Sequence, residues 1–173
     1  MTNNPSPTIH TPVKWTKPEN GVLKLNVDTS VSLGAISFTM GLVIRDHAGV
    51  FVAGKMVCIA MITTTFEVEA LAILESLHWL LTLNHDRVII ESDSLLSIRA
   101  LQGSHDNLLE VGSILNACRI ILDSRPGYSI SFVKRQTNGI AHLVAKLPCS
   151  LNCQNVLTSP SNTLLEALLY DIS

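Results

Sequence analysis

Apolar and polar residues alternate along Leu23-Lys24-Leu25-Asn26-Val27-Asp28, so Leu23, Leu25 and Val27 share one face of an extended chain while Lys24, Asn26 and Asp28 share the other. The spacing predicts a strand that ends on a carboxylate. Two further apolar runs, Ile36 to Arg45 and Val50 to Val57, flank Asp46-His47-Ala48-Gly49, which has the turn chemistry of a hairpin. An antiparallel meander follows from the three runs. Thr64 with Glu67 three residues later makes a capping box, and apolar residues then recur at helical spacing to Leu83, with Leu71, Leu74, Leu77 or His78, and Leu81 near one another. Arg87-Val88-Ile89-Ile90-Glu91-Ser92-Asp93 is nearly continuous in apolar character, the pattern of a parallel strand buried on both faces. Strand, helix, strand predicts a right-handed crossover. A short helix from Ser94 to Leu101 is stopped by Gly103. A second capping box, Asn107 with Glu110, opens a longer helix through Val111, Leu115 and Cys118 to Asp123. Beyond the Arg125-Pro126-Gly127 break, Tyr128 to Lys134 reads as a fifth strand and Asn138 to Lys146 as a final helix.

Composition narrows the picture. The 173 residues suffice for one domain, and 47% hydrophobic with 5% aromatic content implies a core built from Leu, Ile and Val. Residues 1–20, with Pro5, Pro7, Pro12 and Pro18, read as an extended arm in which Trp15 either anchors the arm or stacks on a base; 21–147 is the domain; 148–173 is a tail with a short helix. That helix, Leu164 to Tyr170, is apolar enough to suggest a protein-docking element. A net charge of −2, from 12 Lys+Arg and 14 Asp+Glu, argues against a chain that grips nucleic acid by bulk electrostatics. No stretch is long enough to cross a bilayer, and no leader is evident, so a soluble intracellular monomer, nuclear or cytoplasmic, is expected. Cys58, Cys118, Cys149 and Cys153 are widely spaced and read as free thiols; Cys149-x-x-x-Cys153 lacks the second Cys/His pair a zinc site needs.

Candidate chemistry lies in three acidic signals, each beside a clean structural pattern: Asp28, Glu67-Val68-Glu69-Ala70, and Glu91-Ser92-Asp93-Ser94. Asp28 closes a strand, Glu69 falls in the first two turns of the crossover helix, and Asp93 closes the adjacent parallel strand. Such acids would meet at one sheet edge. Carboxylates gathered in this way repel one another unless a cation is present.

Taken in order, Trp15, Lys24-Leu25-Asn26-Val27-Asp28, Gly41-Leu42-Val43-Ile44-Arg45-Asp46, Glu67-Val68-Glu69-Ala70-Leu71-Ala72-Ile73, Glu91-Ser92-Asp93-Ser94 and Val133-Lys134-Arg135-x-x-Asn138-x-x-Ala141-His142 resemble a plant type-1 ribonuclease H domain, a group commonly related to the ribonuclease H of non-LTR retrotransposons. The resemblance implies an α/β, ribonuclease H-like fold with a five-stranded mixed sheet of order 3-2-1-4-5 and helices on both faces. It implies hydrolysis of the RNA strand of RNA-DNA hybrids with two Mg²⁺ (or Mn²⁺) ions held by Asp28, Glu69 and Asp93. Asp28 would bridge the ions; Glu67 competes with Glu69 on sequence, and the spacing to Ala70-Leu71-Ala72-Ile73 favours Glu69.

Three departures qualify that picture. His142 stands where the family has a fourth carboxylate, and imidazole prefers softer metals than Mg²⁺, so the implied activity is weak, shifted towards Mn²⁺, or absent, leaving a degenerate nucleic-acid-binding domain as the alternative. Thr29-Ser30 and Thr39-Met40 stand where glycines are usual, and Phe132 where the plant branch often has His. Nucleic-acid contacts are assigned to Asn26, Arg45, Lys134, Arg135 and Asn138, with Lys24 adding charge. Each has a plainer reading: Lys134-Arg135 as a solvated strand end, Asn138 as a helix cap, His142 as a surface residue set against a ligand or proton carrier.

Overall fold

The computed structural model describes residues 14–31, 37–61, 63–103 and 111–172. The meander forms as the alternation requires: β1 (Leu23–Val31), β2 (Ser37–Arg45) and β3 (Phe51–Ala60) pair antiparallel. Gly49, with φ +85°, closes the β2–β3 turn, and Asp46 Oδ1 accepts from the Ala48 and Val50 amides. Next come α1 (Thr65–Leu83), β4 (Val88–Ser92), α2 (Leu95–Gln102), α3 (Gly112–Ser124), β5 (Tyr128–Phe132) and, after a 3₁₀ turn at Arg135–Thr137, α4 (Gly139–Ala145).

Thr64 caps α1 by accepting from the Glu67 amide, and Asn84 ends it in the left-handed conformation. The Asn107–Glu110 capping box lies outside the described residues. β4 runs parallel to β1 and to β5, so the expected order 3-2-1-4-5 is present. The sheet has a sixth strand, however. β6 (Cys153–Leu157) pairs antiparallel with the outer edge of β3, giving 5-4-1-2-3-6 in place of five strands. Its sequence, Cys-Gln-Asn-Val-Leu, has too little apolar alternation to announce a strand; an unpaired edge on β3 recruits it through backbone hydrogen bonds.

The period of two sorts β1 and β2 between two cores. Leu25, Val27, Phe38, Met40, Leu42 and Ile44 face α1 to α3, where Ile73, Leu77, Leu80, Ile98 and Leu115 fill the larger cluster. Val43 and Met56 face the other way, onto Ile140 and Val144 of α4 and onto Leu164 and Leu168 of the last helix, α5 (Asn162–Ile172). Those two leucines make α5 a cover for this chain's own sheet. Its outward residues are Leu165, Leu169 and Tyr170. Trp15 is buried, so the end of the arm is anchored. Glu75, expected to be a solvated charge, pairs with Lys55 at 2.6 Å. Among the described residues no helix is long and apolar enough to cross a membrane.

Candidate active site

The register places the site. β4 pairs with β1 only from Leu23 to Val27, so Asp28 stands just past the last β4 partner, Ser92, and Asp93 follows that same residue. The ladder is continued by a side chain: Asn138, leading into α4, donates from Nδ2 to the Val27 carbonyl at 2.8 Å and to Asp93 Oδ1 at 3.1 Å. One buried amide thus ties the ends of β1, β4 and α4 together. Asn138 makes no side-chain cap hydrogen bond, so the capping reading gives way to this bridge.

α4 approaches β2 so closely that a Cβ on Gly41, the register partner of Asp28, would lie 2.3 Å from the Ala141 carbonyl oxygen. Glycine is required there because the helix backbone occupies the space of a side chain. That approach lays His142 over Asp28, with Nδ1 2.6 Å from Oδ2. Arg135 Nη2 lies 3.2 and 3.5 Å from the two ring nitrogens, and Nη1 is 3.6 Å from Asp93 Oδ2. His142 therefore occupies one oxygen of the carboxylate that the resemblance makes the bridging ligand.

Glu69 enters from α1. Thr29 Oγ1 donates to Glu69 Oε1 at 2.6 Å, giving a purpose to a residue that sequence comparison marks only as a missing glycine. Glu67, the competing acid, accepts from Thr63 at the helix start, leaving Glu69 as the one aimed at the site. Glu69 and Asp93 line a groove of about 440 Å³ with Phe66, Ser94, Leu96 and Arg135. Burial pushes the Glu69 carboxyl up to about 7; the Thr29 hydrogen bond opposes this, Asp28 and Asp93 add to it, and Arg135 relieves it slightly. Burial and the nearby Asp93 also raise Asp28, against the pull of the His142 hydrogen bond. Asp93 thus acts on both other acids and Asp28 on Glu69, though the three come from separate segments.

Two expected nucleic-acid contacts are placed elsewhere. Arg45 and Asn26 are each 0% exposed. Arg45 donates to Asp171 Oδ2 at 2.8 Å and to Asn26 Oδ1 at 2.8 Å, and its guanidinium stacks 3.6 Å from the Trp15 ring centroid. Asn26 Nδ2 reaches Glu91 Oε2 at 2.9 Å and Asn138 Oδ1 at 3.2 Å. Lys24 is held by Glu91 at 2.6 Å and by the Thr16 carbonyl at 2.7 Å. Arm and α5 cover this part of the sheet, so these groups form an internal polar network and offer a phosphate no surface. Asn138 is buried too, whereas Lys134 and Arg135 are exposed.

Asp28, Glu69 and Asp93 supply only oxygen donors, the set that Mg²⁺ and Mn²⁺ take. Burial first, and then the charge of Asp93, raise both Asp28 and Glu69, and Asp28 adds to the effect on Glu69. As the side chains stand, no three His, Cys, Asp or Glu groups among the described residues are close enough to hold an ion. Donor chemistry fits a divalent metal; closure of the set would need Asp28 to exchange His142 for it and Glu69 to turn from Thr29.

Residues 26–147 match the family model described as reverse transcriptase-like. No curated protein matches the chain. It is similar to the crystal structure of RNase H1 from the halophilic archaeon Halobacterium salinarum, with TM-score 0.65 and 23% identity over 72% of this chain and 94% of that one. LC11-RNase H1 in complex with an RNA/DNA hybrid aligns with TM-score 0.62 and 20% identity, over 70% of this chain and 92% of its own. For the N-terminal RNase H domain of a Mycobacterium tuberculosis protein, solved as a fusion with maltose-binding protein, the values are 0.60 and 14%, over 88% and 99%. These likenesses establish an RNase H-like α/β fold.

Proposed function

Because the chain belongs to the reverse transcriptase-like family, we propose that it is a divalent-metal-dependent ribonuclease that hydrolyses the RNA strand of RNA-DNA hybrids. The observation that carries this reading is the placement of Asp28 and Asp93 just past the end of the β1–β4 ladder, where, beyond the effect of burial, Asp93 raises the proton affinity of Asp28 and both raise that of Glu69. A purely structural set of acids would be expected to be neutralised by partners.

Asp28, Glu69 and Asp93 would hold Mg²⁺ or Mn²⁺, which when bound supplies an activated water and neutralises charge on the phosphate. The chain's own groups do the rest. Asn138 fixes Asp93 against the end of β1, so two of the acids keep one separation. Thr29 fixes Glu69 by donating to its Oε1. Arg135, which lines the groove, and its exposed neighbour Lys134 would meet the nucleic-acid backbone. His142 takes or returns a proton through Nδ1 when it leaves Asp28.

That same 2.6 Å contact favours one rival, a domain that binds hybrids without turnover, because the imidazole sits on an oxygen the metal needs. Cleavage of a labelled hybrid in Mg²⁺ and in Mn²⁺ separates the two. We expect cleavage in Mn²⁺, its loss in Asp28→Asn, and a gain of at least ~10-fold in Mg²⁺ for His142→Asp, in the range of a ligand's effect on a metal site. Salt-dependent hybrid binding with no cleavage in either metal would establish the rival.

A further inference from the structure

Three of the four cysteines meet at the outer edge of the sheet, away from the carboxylates. Cys58 on β3 and Cys153 on β6 are register partners, and Cys149 lies on the segment that leads from α4 into β6. Cys149 Sγ is 3.0 Å from Cys153 Sγ and within hydrogen-bonding reach of Cys58. The turn between the two sulfurs is shaped in advance. Asn152 takes φ +54°, a conformation asparagine tolerates, and its Oδ1 accepts from the Ala60 amide at 3.0 Å, pinning the turn to the end of β3. Ser150, Leu151 and Asn152 are exposed and the two cysteines half-buried, so a small solute reaches them. Cys58 and Cys118 are buried.

We propose that Cys149 and Cys153 form a reversible dithiol–disulfide pair, a redox modification site that closes the turn entering β6 and clamps the last strand to the sheet. The two sulfurs are not equivalent. Burial and the neighbouring Cys153 push the Cys149 thiol up to about 12, and in the contact between the two sulfurs either can be the donor. Asn155 Nδ2 adds a weaker donor to Cys153 Sγ at 3.9 Å. Cys153 is therefore the attacking sulfur and Cys149 the resolving one.

With a low-molecular-weight disulfide as oxidant, the Cys153 thiolate attacks one sulfur of the reagent, expelling a thiolate and leaving a mixed disulfide. Cys149 then loses its proton and attacks the Cys153 sulfur, forming the internal S–S bond and expelling the second reagent thiolate. Two protein thiols are oxidised and one disulfide is reduced to two thiols. In a reducing compartment the bond would be transient, as regulatory disulfides are. The clamp acts on the segment that ends in α5, whose Asp171 holds Arg45.

The test uses the full chain, reduced and then exposed to glutathione disulfide, quenched in acid, alkylated and mapped by mass spectrometry. Cys149 and Cys153 share the tryptic peptide after Lys146, so closure appears as a loss of two alkylatable thiols and about 2 Da within one peptide. We expect that peptide, with amide exchange across residues 153–157 slowed by about 10-fold. Cys149→Ser should instead hold a lasting glutathione adduct on Cys153, and Cys58→Ala should leave the closed peptide unchanged. Four alkylated thiols, a stable adduct on the parent chain, or a cross-link to Cys58 would each overturn the assignment.

Discussion

One face of β1 carries two sets of buried charge that are settled in opposite ways. At its start, Lys24 faces Glu91 at 2.6 Å and Arg45 faces Asp171 at 2.8 Å, with Asn26 between them; two cations meet two anions. At its far end three carboxylates, Asp28, Glu69 and Asp93, have among the described residues one permanent cation, Arg135, 3.6 Å from Asp93 and largely exposed, and the His142 ring 2.6 Å from Asp28. The same strand, the same alternation and neighbouring positions therefore yield a balanced network and an unbalanced one. Balance marks groups that fold the protein, since each buried ion needs its partner to offset desolvation. Imbalance is what the proposed cation site would need, since an excess of buried carboxylate is relieved when a divalent ion binds.

Breaking the balanced end should have the largest effect. Arg45→Met leaves Asp171 and Asn26 without their donor and removes the cation stacked on Trp15, so a loss of about 3–5 kcal/mol is expected in urea unfolding. Hybrid cleavage should fall only with the folded fraction; a specific loss of hybrid affinity in fully folded protein would instead return Arg45 to the nucleic-acid surface. The joint between the two ends comes next. Gly41→Ala puts a methyl group where the Ala141 carbonyl and the Ala145 amide stand, which should cost about 2–3 kcal/mol by overpacking and move His142 off Asp28. A stable Gly41→Ala protein with unchanged cleavage would show that α4 has slack the close approach denies.

Much of this was legible before any coordinates. The meander, the crossover helix and the parallel strand follow from periods of 2 and 3.6, and the order of Asp28, Glu69 and Asp93 brings them to one edge by topology. What periodicity does not carry is the sixth strand, whose pairing is a backbone affair, and the direction of polar side chains within the meander. Asn26 and Arg45 look like surface groups because their neighbours alternate with them. Only the folded chain puts Trp15 and α5 on that face and makes it interior. Thr29 was legible as a departure from glycine but not as the donor to Glu69, a contact across 40 positions.

Neutralising the unbalanced end should have the opposite sign and a smaller size. Glu69 has its folded pKa raised to about 7 from an ordinary 4.5, so it binds a proton more tightly folded than unfolded. Its contribution is fully present below about pH 4.5 and is lost as pH rises towards 7, above which the ionised group opposes folding. Glu69→Gln should therefore stabilise the chelator-treated protein by about 1–3 kcal/mol at pH 8 and by almost nothing at pH 4. Mg²⁺ should narrow the gap at pH 8 by raising the Tm of the parent chain more than that of the variant. Equal metal shifts in both proteins would remove Glu69 from the cation site.

The smallest effect on stability belongs to Lys134, the exposed cation that precedes the groove-lining Arg135. Lys134→Ala should change unfolding free energy by no more than about 0.5 kcal/mol, because the side chain is exposed and surface substitutions of this kind cost little. Hybrid binding should nevertheless weaken, with the slope of log K against log salt falling by about 1 if Lys134 neutralises one phosphate. Set beside Arg45→Met, the two substitutions are expected to invert: the first should cost folding and not hybrid affinity, the second hybrid affinity and not folding. A Lys134→Ala protein with the parent's salt slope would place the hybrid elsewhere and leave the groove at Glu69 and Asp93 without its guide.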